Sequence, residues 1–430
     1  MKIQIHRGTN QIGGCVCEIE SGGYKVFIDF GEQLPCAEKI SLHPIEGLTC
    51  GDSSKSALFI THYHADHIGK IIEALDDLPI YLGKTALEIY QHYTKRRTYI
   101  KDQAESDKNE NLLQRSKRIT TFEALQKIKL GGITVTPLLV DHSAFDAYMF
   151  IIEAEGKRIL HTGDFRGHGF RGKALLKTLR AYAQNIDYII SEGSNIQRTK
   201  APEKSEMELQ SQFVREFEKN KYNFVFASST NIDRIFGLYH AAKKSKRSFV
   251  CDKYQAEILK IVSKNHKHHS SFYDIDYEQE ENPAARFFDL NRQNADKTYY
   301  FNKGLESYLN RHGFCMLIRS NPAFKPLLDK YSELDKTQVY FSMWSGYLHS
   351  ESSGYNSNIA DFLRPYNLTH LHTSGHADID TLKSVFDTIN PKVGIIPIHT
   401  EAPEMFEKIF PEHNFIVLQD GESYNTNFNN

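Results

Sequence analysis

Thr61-His62-Tyr63-His64-Ala65-Asp66-His67 is the stretch on which the fold of this chain turns. It closes an apolar run of strand length, Ala57 to Thr61, and leads into residues of helical spacing, Ile68 to Leu75. His62, His64, Asp66 and His67 are therefore gathered on a loop at the carboxyl end of a strand. Alternation sends His62 and His64 to one side, and the turn brings Asp66 and His67 round to a second position. Imidazole and carboxylate together suit zinc, and a mixed set also accepts manganese or iron. The bland alternative is a polar loop, but desolvating so many ligand groups without a cation is costly.

Similar strand ends recur downstream. Val140-Asp141-His142-Ser143 closes one strand, His161-Thr162-Gly163-Asp164 closes another, and Asp29 follows the apolar pair Phe27-Ile28. Each alone reads as a turn residue. Together, His142 and Asp164 complete a two-metal site, with Asp164 placed to bridge. Asp29 reads as a carboxylate that orients ligands without being one.

Working outward, 430 residues exceed one ordinary core and predict two to three structural units. A hydrophobic fraction of 40% with 25% charged residues excludes a mostly disordered chain. The formal charge of −2 announces no global basic field, which leaves only local patches for nucleic acid: Lys95-Arg96-Arg97, Arg115 to Arg118 and Lys243 to Arg247. Six scattered cysteines without CxxC spacing read as reduced thiols. The start lacks the apolar core of a signal peptide, and the longest apolar runs, Ile133 to Val140 and Val393 to Ile398, are too short to span a membrane. A soluble, cytoplasmic protein without a membrane partner is expected.

Short strands separated by glycines fill the first sixty residues, and strands resume at Ile133 to Val140, Ala147 to Glu153, Arg158 to Thr162 and Tyr188 to Ser191. The charged segment from Lys95 to Arg118 reads as exposed helix or a flap. After Ile196 the rhythm becomes strand, helix, strand: Asn223 to Ala227, Ile232 to Ala242, Ser248 to Cys251. That rhythm predicts a parallel sheet covered by helices. Phe272 to Lys303 is polar and expected to be irregular. The last eighty residues are expected to be strands separated by one helix, Ile379 to Ile389, ahead of a polar tail, Asn425 to Asn430.

Taken in order, Asp29, His62/His64/Asp66/His67, His142 and Asp164 resemble the metallo-β-lactamase superfamily. Three later stretches narrow the resemblance: Ile190-Ser191-Glu192-Gly193-Ser194-Asn195, Thr373-Ser374-Gly375-His376-Ala377-Asp378 and Ile396-Pro397-Ile398-His399-Thr400-Glu401. These are similar to the β-CASP nucleases, and closest to the ribonuclease J branch without its C-terminal domain. The resemblance implies an α/β fold, an αββα sandwich at residues 1–195 and 351–430 with an inserted α/β β-CASP domain at 196–350. It implies two divalent cations, zinc first and manganese or magnesium as alternatives. One would sit on His62, His64 and His142, the other on Asp66, His67 and His399, with Asp164 bridging.

The implied activity is two-metal hydrolysis of single-stranded RNA to 5′-phosphate products, endonucleolytic or from the 5′ end. Asp66, Glu192 and His376 would be its catalytic residues, His376 as proton donor to the leaving 3′-oxygen and Glu192 fixing its tautomer. Ser374 and Gly375, ahead of a helix, would offer backbone N–H groups to a terminal phosphate. Ser229-Thr230-Asn231-Ile232-Asp233-Arg234 resembles a family Ser-Asn-x-His-Arg stretch, which makes Ser229 and Asn231 substrate contacts. Asp233 replaces the histidine there, and a carboxylate near that pocket would repel phosphate. The alternatives are a β-CASP DNA nuclease and an inactive scaffold subunit of an RNA-processing complex. His399 favours RNA over the first, and the filled ligand positions argue against the second.

Overall fold

The computed structural model describes residues 1–198, 204–265, 271–275, 285–288 and 301–426. The chain opens with β1 (Lys2–Arg7), β2 (Val16–Ser21), β3 (Tyr24–Ile28), β4 (Ser56–Phe59), β5 (Ile80–Gly83) and β6 (Thr120–Phe122). There follow β7 (Ile128–Leu130), β8 (Ile133–Val140), β9 (Ala147–Ala154), β10 (Lys157–His161) and β11 (Tyr188–Glu192). The middle of the chain holds β12 (Tyr222–Phe226), β13 (Ser248–Asp252), β14 (Ala285–Phe288), β15 (Phe314–Ile318), β16 (Thr337–Phe341) and β17 (Leu368–His370). β18 (Gly394–Ile398) and β19 (Ser423–Asn425) close it. Among the described residues these strands form three sheets, ordered β19-β1-β2-β3-β4-β5-β6, β18-β11-β10-β9-β8-β7 and β14-β13-β15-β12-β16-β17.

The first two sheets pack face to face. Alternation along each strand decides which side chains meet. Ile3, Ile5, Ile19, Val26, Ile28 and Phe59 from one sheet share a buried core with Phe150, Ile152, Ile159, Ile190 and Ile396 from the other. The intervening residues Met149, Ile151, Leu160, Ile189 and Ile395 face outward, onto Leu179, Leu382, Val385, Phe386 and Phe406. Those come from the helices Leu175–Tyr182, Ile379–Ile389 and Met405–Ile409. The helix Lys84–Arg97 lies against β5 and β6. This is the expected αββα sandwich.

Residues 1–202 and 375–430 make one compact unit and 203–374 a second. The second unit is built on the third sheet, whose pairings are all parallel, as the strand–helix rhythm predicted. Parallel strands need crossover connections, which the helices Ile232–Lys244, Lys253–Asn265, Lys303–His312 and Lys325–Ser332 supply. The expected return at residue 351 comes too early. Residues 351–374 join the inserted unit because β17 extends its sheet through Val339↔Leu368 and Phe341↔His370.

Three local expectations also need correction. The helix after the histidine loop is Ala65–Ile68, and a separate 3₁₀ turn follows at Ile71–Glu73. Of the two readings of the charged segment, the structure bears out the helix: Gln103–Ser116 is the second arm of a helical hairpin. Ala285–Phe288 is a strand, while 276–284 and 289–300 of the stretch expected to be irregular lie outside the described residues, as do 427–430 of the tail. The last eighty residues carry the helices Ser357–Leu363 and Met405–Ile409 besides the expected one.

Candidate metal centre

Antiparallel pairing of β8 with β9 and β9 with β10, then parallel pairing of β10, β11 and β18, makes β8, β10, β11 and β18 run the same way. Their carboxyl ends therefore meet at one edge of the second sheet, and they carry His142, Asp164, Glu192 and His399. Thr61 O, after β4, accepts from Tyr148 N at 3.0 Å and ties the histidine loop to the same face.

Three ring nitrogens converge there. His64 Nδ1 stands 3.0 Å from His62 Nε2 and 3.2 Å from His142 Nε2. Donors bonded to one tetrahedral zinc at its usual distances stand roughly 3.3 Å apart, so this cluster has the dimensions of a metal triad. Burial, reinforced by neighbouring imidazoles, holds His62 and His142 well below the ordinary histidine value, and burial pulls His64 down to about 4. Neutral rings are the ligating form.

Beside it lies a mixed cluster of Asp66, His67, Asp164 and His399. His67 Nε2 is 3.1 Å from Asp164 Oδ2, and His399 Nε2 is 3.3 Å from Asp66 Oδ2 and 3.8 Å from Asp164 Oδ1. Asp164 Oδ2 is also 3.8 Å from His62 Nε2, so one carboxylate faces both clusters. Burial pushes both aspartates up, but adjacent imidazoles outweigh it and hold them below the usual carboxylate range. Burial likewise lowers His67, and Asp164 with Asp29 raises it further than burial depresses it. His67 Nε2 and Asp164 Oδ1 are buried without a hydrogen-bond partner among the described residues. Orphaned ligand-type atoms on two side chains of one cluster fit a second cation.

The opposite ring nitrogens are anchored one by one. His67 Nδ1 lies 2.8 Å from Asp29 Oδ2, His62 Nδ1 3.0 Å from Thr61 Oγ1 and His142 Nδ1 2.6 Å from the Gly375 carbonyl. His399 Nδ1 lies 2.7 Å from Ser194 Oγ and His376 Nδ1 3.0 Å from Glu192 Oε2. For the four candidate ligand rings among them the anchor favours the tautomer that leaves Nε2 bare. His64 is the exception and presents Nδ1. Asp29 also accepts from the Thr61 backbone N–H at 2.7 Å, which fits the orienting role expected of it. Asp29 and His399 hold positive φ, 61° and 51°, strain of the kind concentrated at functional sites.

The His376 ring is a quarter exposed and stands 3.6 Å from Asp164. Burial lowers its pKa, but Glu192 and then Asp164 raise it to about 9. Glu192 is itself held by Phe165 N at 3.0 Å. Asn195 Nδ2 donates to the carbonyls of His376 and Ala377 at 3.1 and 3.2 Å.

The expected substrate residues have other partners. The helix after His376 starts at Ile379 and is capped by Asp378, so Ser374 and Gly375 stand ahead of the cap. In the inserted unit, Ser229 Oγ accepts from Gln255 at 3.3 Å, and Asn231 caps the helix Ile232–Lys244. Asp233 is fully buried and accepts from Tyr273 Oη at 2.6 Å. Arg234, also buried, is paired with Glu206 at 3.0 Å.

Sequence reasoning missed Thr61, Ser194, Asn195 and Arg7. Arg7 donates to the carbonyls of Gly14 and Gly31, each at 2.7 Å. Gly14 N in turn donates to Asp66 O at 3.0 Å, and a Cβ on Gly31 would stand 1.6 Å from that same oxygen. The glycines read as turns are thus the walls that seat Asp66, and only their number hinted at it. In a further acidic group the exposed Asp387 and Glu412 accept from Lys383 at 2.9 and 2.6 Å and the less open His413 stands 3.0 Å from Asp387, an ion-pair network.

Comparison with known proteins agrees with this geometry. Residues 28–219 match the family described as "Beta-lactamase superfamily domain", and residues 366–407 match "Zn-dependent metallo-hydrolase RNA specificity domain". The chain is 25% identical to ribonuclease J of Mycoplasma genitalium over 204 residues, 45% of this chain and 33% of that protein. It is 23% identical to ribonuclease J of Mycoplasma pneumoniae over 262 residues, 58% and 43% respectively. Cleavage and polyadenylation specificity factor subunit 3 of Dictyostelium discoideum is 25% identical over 171 residues, 36% and 21%. The alignments span less than half of each relative. A crystal structure of a protein of unknown function from Enterococcus faecalis V583 shares the fold, with a TM-score of 0.73 at 20% identity over 98% of this chain and 99% of that one. Among the described residues, no helix is long and apolar enough to cross a membrane.

Proposed function

Because this chain joins a metallo-β-lactamase domain to an RNA-specificity segment of zinc-dependent metallo-hydrolases, we propose that it is a dinuclear metal-dependent ribonuclease. It hydrolyses phosphodiester bonds of single-stranded RNA and leaves 5′-phosphate products. One observation carries the reading. The segment matching the RNA-specificity domain supplies both His376 and His399, whose rings stack at 5.5 Å, the first beside Glu192 and the second beside Asp66.

His62, His64 and His142 would hold one cation and Asp66, His67 and His399 the other, with the Asp164 carboxylate shared between the two clusters. Bound there, the cations supply Lewis acidity at the scissile phosphate and a nucleophile at neutral pH. The protein contributes orientation and a proton. Asp29, Thr61, Ser194 and the Gly375 carbonyl keep the ligand rings aimed. His376, its Nδ1 fixed by Glu192, offers Nε2 to the leaving 3′-oxygen, and the Glu192 carboxylate stabilises the ring while it is cationic.

Protein purified without chelator should carry close to two metals per chain by elemental analysis. It should cut 5′- and 3′-labelled single-stranded RNA faster than the matching DNA when supplied with zinc, manganese or magnesium. His376→Ala should keep the metals and lower turnover by roughly two to four orders of magnitude, the usual range for a general acid. Faster cutting of DNA would replace RNA as the substrate. A fully active His376→Ala would remove the proton-donor assignment.

A further inference from the structure

The helical hairpin between β5 and β6 takes no part in the chemistry above, yet it carries an unusual tip. Of the three basic clusters in the chain, one is tied into structure, a second commits only its arginine, and the third surrounds an exposed aromatic ring. Arg115 donates to the carbonyls of Asp76 and Leu75 at 2.7 and 2.6 Å, and Arg118 reaches Asp76 O at 3.3 Å. Arg247 donates to Phe217 O at 3.0 Å and Asn220 O at 3.2 Å. The third cluster is different. Only Arg97 is occupied: it lies 5.5 Å over the Tyr93 ring, pairs with Glu105 and donates to Asn109 Oδ1 at 3.2 Å.

The side chains of Lys95, Arg96 and Lys101 are exposed and form no ion pair among the described residues. Between them Tyr99 is 68% exposed and Ile100 37%. The turn itself is well braced. Ser106 Oγ donates to Thr98 O at 2.6 Å, and Asp102 accepts from Glu105 N at 3.0 Å. A fixed turn that shows three cations without an ion pair beside one capping carboxylate, in a chain of formal charge −2, is a local field rather than a general property. An aromatic face set among cations is the arrangement that stacks a base and grips its flanking phosphates.

The hairpin's position agrees. Lys108 Nζ is 2.5 Å from Glu32 Oε1, and Glu32 N donates to Ala65 O, inside the histidine loop, at 2.9 Å. The second arm is thus pinned beside the metal centre. From that pin to the capping Asp102 the helix runs only about 9 Å.

We propose that the tip at residues 95–101 is an accessory site for single-stranded nucleic acid outside the metal centre. Tyr99 offers a base face there, and Lys95, Arg96 and Lys101 take phosphates. The proposal rests on the nuclease reading for its choice of partner. It is tested with the full chain carrying Lys95→Glu, Arg96→Glu, Lys101→Glu and Tyr99→Ser, by fluorescence anisotropy on a long and a very short single-stranded RNA (on the order of 30 and 5 nucleotides) at several salt concentrations. Cleavage is followed in parallel.

The long RNA should bind roughly tenfold or more weakly. The slope of log K against log salt should flatten by about 2, as expected for three lost phosphate contacts on a single strand. The short RNA should bind, and be cleaved, as by the wild type. Unchanged affinity for the long RNA overturns the proposal and leaves the tip as a solvated or protein-facing surface. An equal loss on both lengths also overturns it, since the effect then lies at the metal centre. If the wild type cleaves no RNA at all, the ribonuclease reading fails while the anisotropy still decides the tip.

Discussion

At the scale of single residues, every imidazole of the centre except His64 is held by the nitrogen that does not face the cluster. The holders are a carboxylate for His67 and His376, a hydroxyl for His62 and His399, and a backbone carbonyl for His142. The carbonyl is the most exposed to disturbance. A Cβ on Gly375 would stand 2.8 Å from Ser143 Oγ and 3.4 Å from His142 Cε1, so Gly375→Ala has to move the carbonyl that His142 leans on. Loss of such an orienting partner typically costs 10- to 100-fold in metal affinity. Cobalt titration of metal-free Gly375→Ala should show that loss for one of two sites, and Ser143→Gly in the same chain should recover part of it. Unaltered titration curves would mean the carbonyl is incidental. The ligands themselves were legible because HxHxDH compresses them into one loop. Their holders were not, because Ser194 and Gly375 meet His399 and His142 only after some two hundred residues of chain fold back.

Among elements, the strands of the sandwich were readable wherever apolar alternation ran long enough, as in β8 and β9, and unreadable where they were three or four residues, as in β5, β6 and β7. A strand that short has no measurable period. The helix expected from Ile68 to Leu75 breaks because Phe30 O accepts from Lys70 N at 3.0 Å and takes it out of the helix. Packing won over spacing. Interior strands also carry polar pins that no pattern predicts. Glu18 on β2 is buried, 2.8 Å from His6 Nε2 on β1 and 3.3 Å from Lys25 Nζ on β3. Burial pushes its pKa up, but the His6 hydrogen bond and the Lys25 charge outweigh burial and hold it below the usual glutamate range. A depressed carboxylate stabilises the fold above its unfolded pKa, and that contribution fades as pH falls through the folded one. Glu18→Gln should therefore melt below the wild type at pH 7, and the gap should close as the pH drops below about 4. A gap that persists in acid would place the effect in packing, not charge.

Across the whole molecule, the chain builds two cores of different kinds: a sandwich whose buried residues come from two mixed sheets, and an inserted unit around one parallel sheet. The insertion was visible as a change of rhythm, but its end was not, because β17 adds only three residues to the sheet before the chain returns. All candidate ligands belong to the first unit. Metal that binds the native centre and not the unfolded chain stabilises by mass action, about 2.7 kcal/mol when free metal is a hundred times Kd. Two cations at one sheet edge should therefore raise the melting of the sandwich and leave the core of the inserted unit alone. Calorimetry before and after EDTA should show a transition that falls by several degrees on stripping and returns with zinc. A second transition, assigned by a probe at Trp344 in the inserted unit, should stay in place. If EDTA moves neither transition, the buried histidines hold no metal and the assignment collapses. If it moves both together, the two cores melt as one body, and the metal centre supports the whole chain through that coupling.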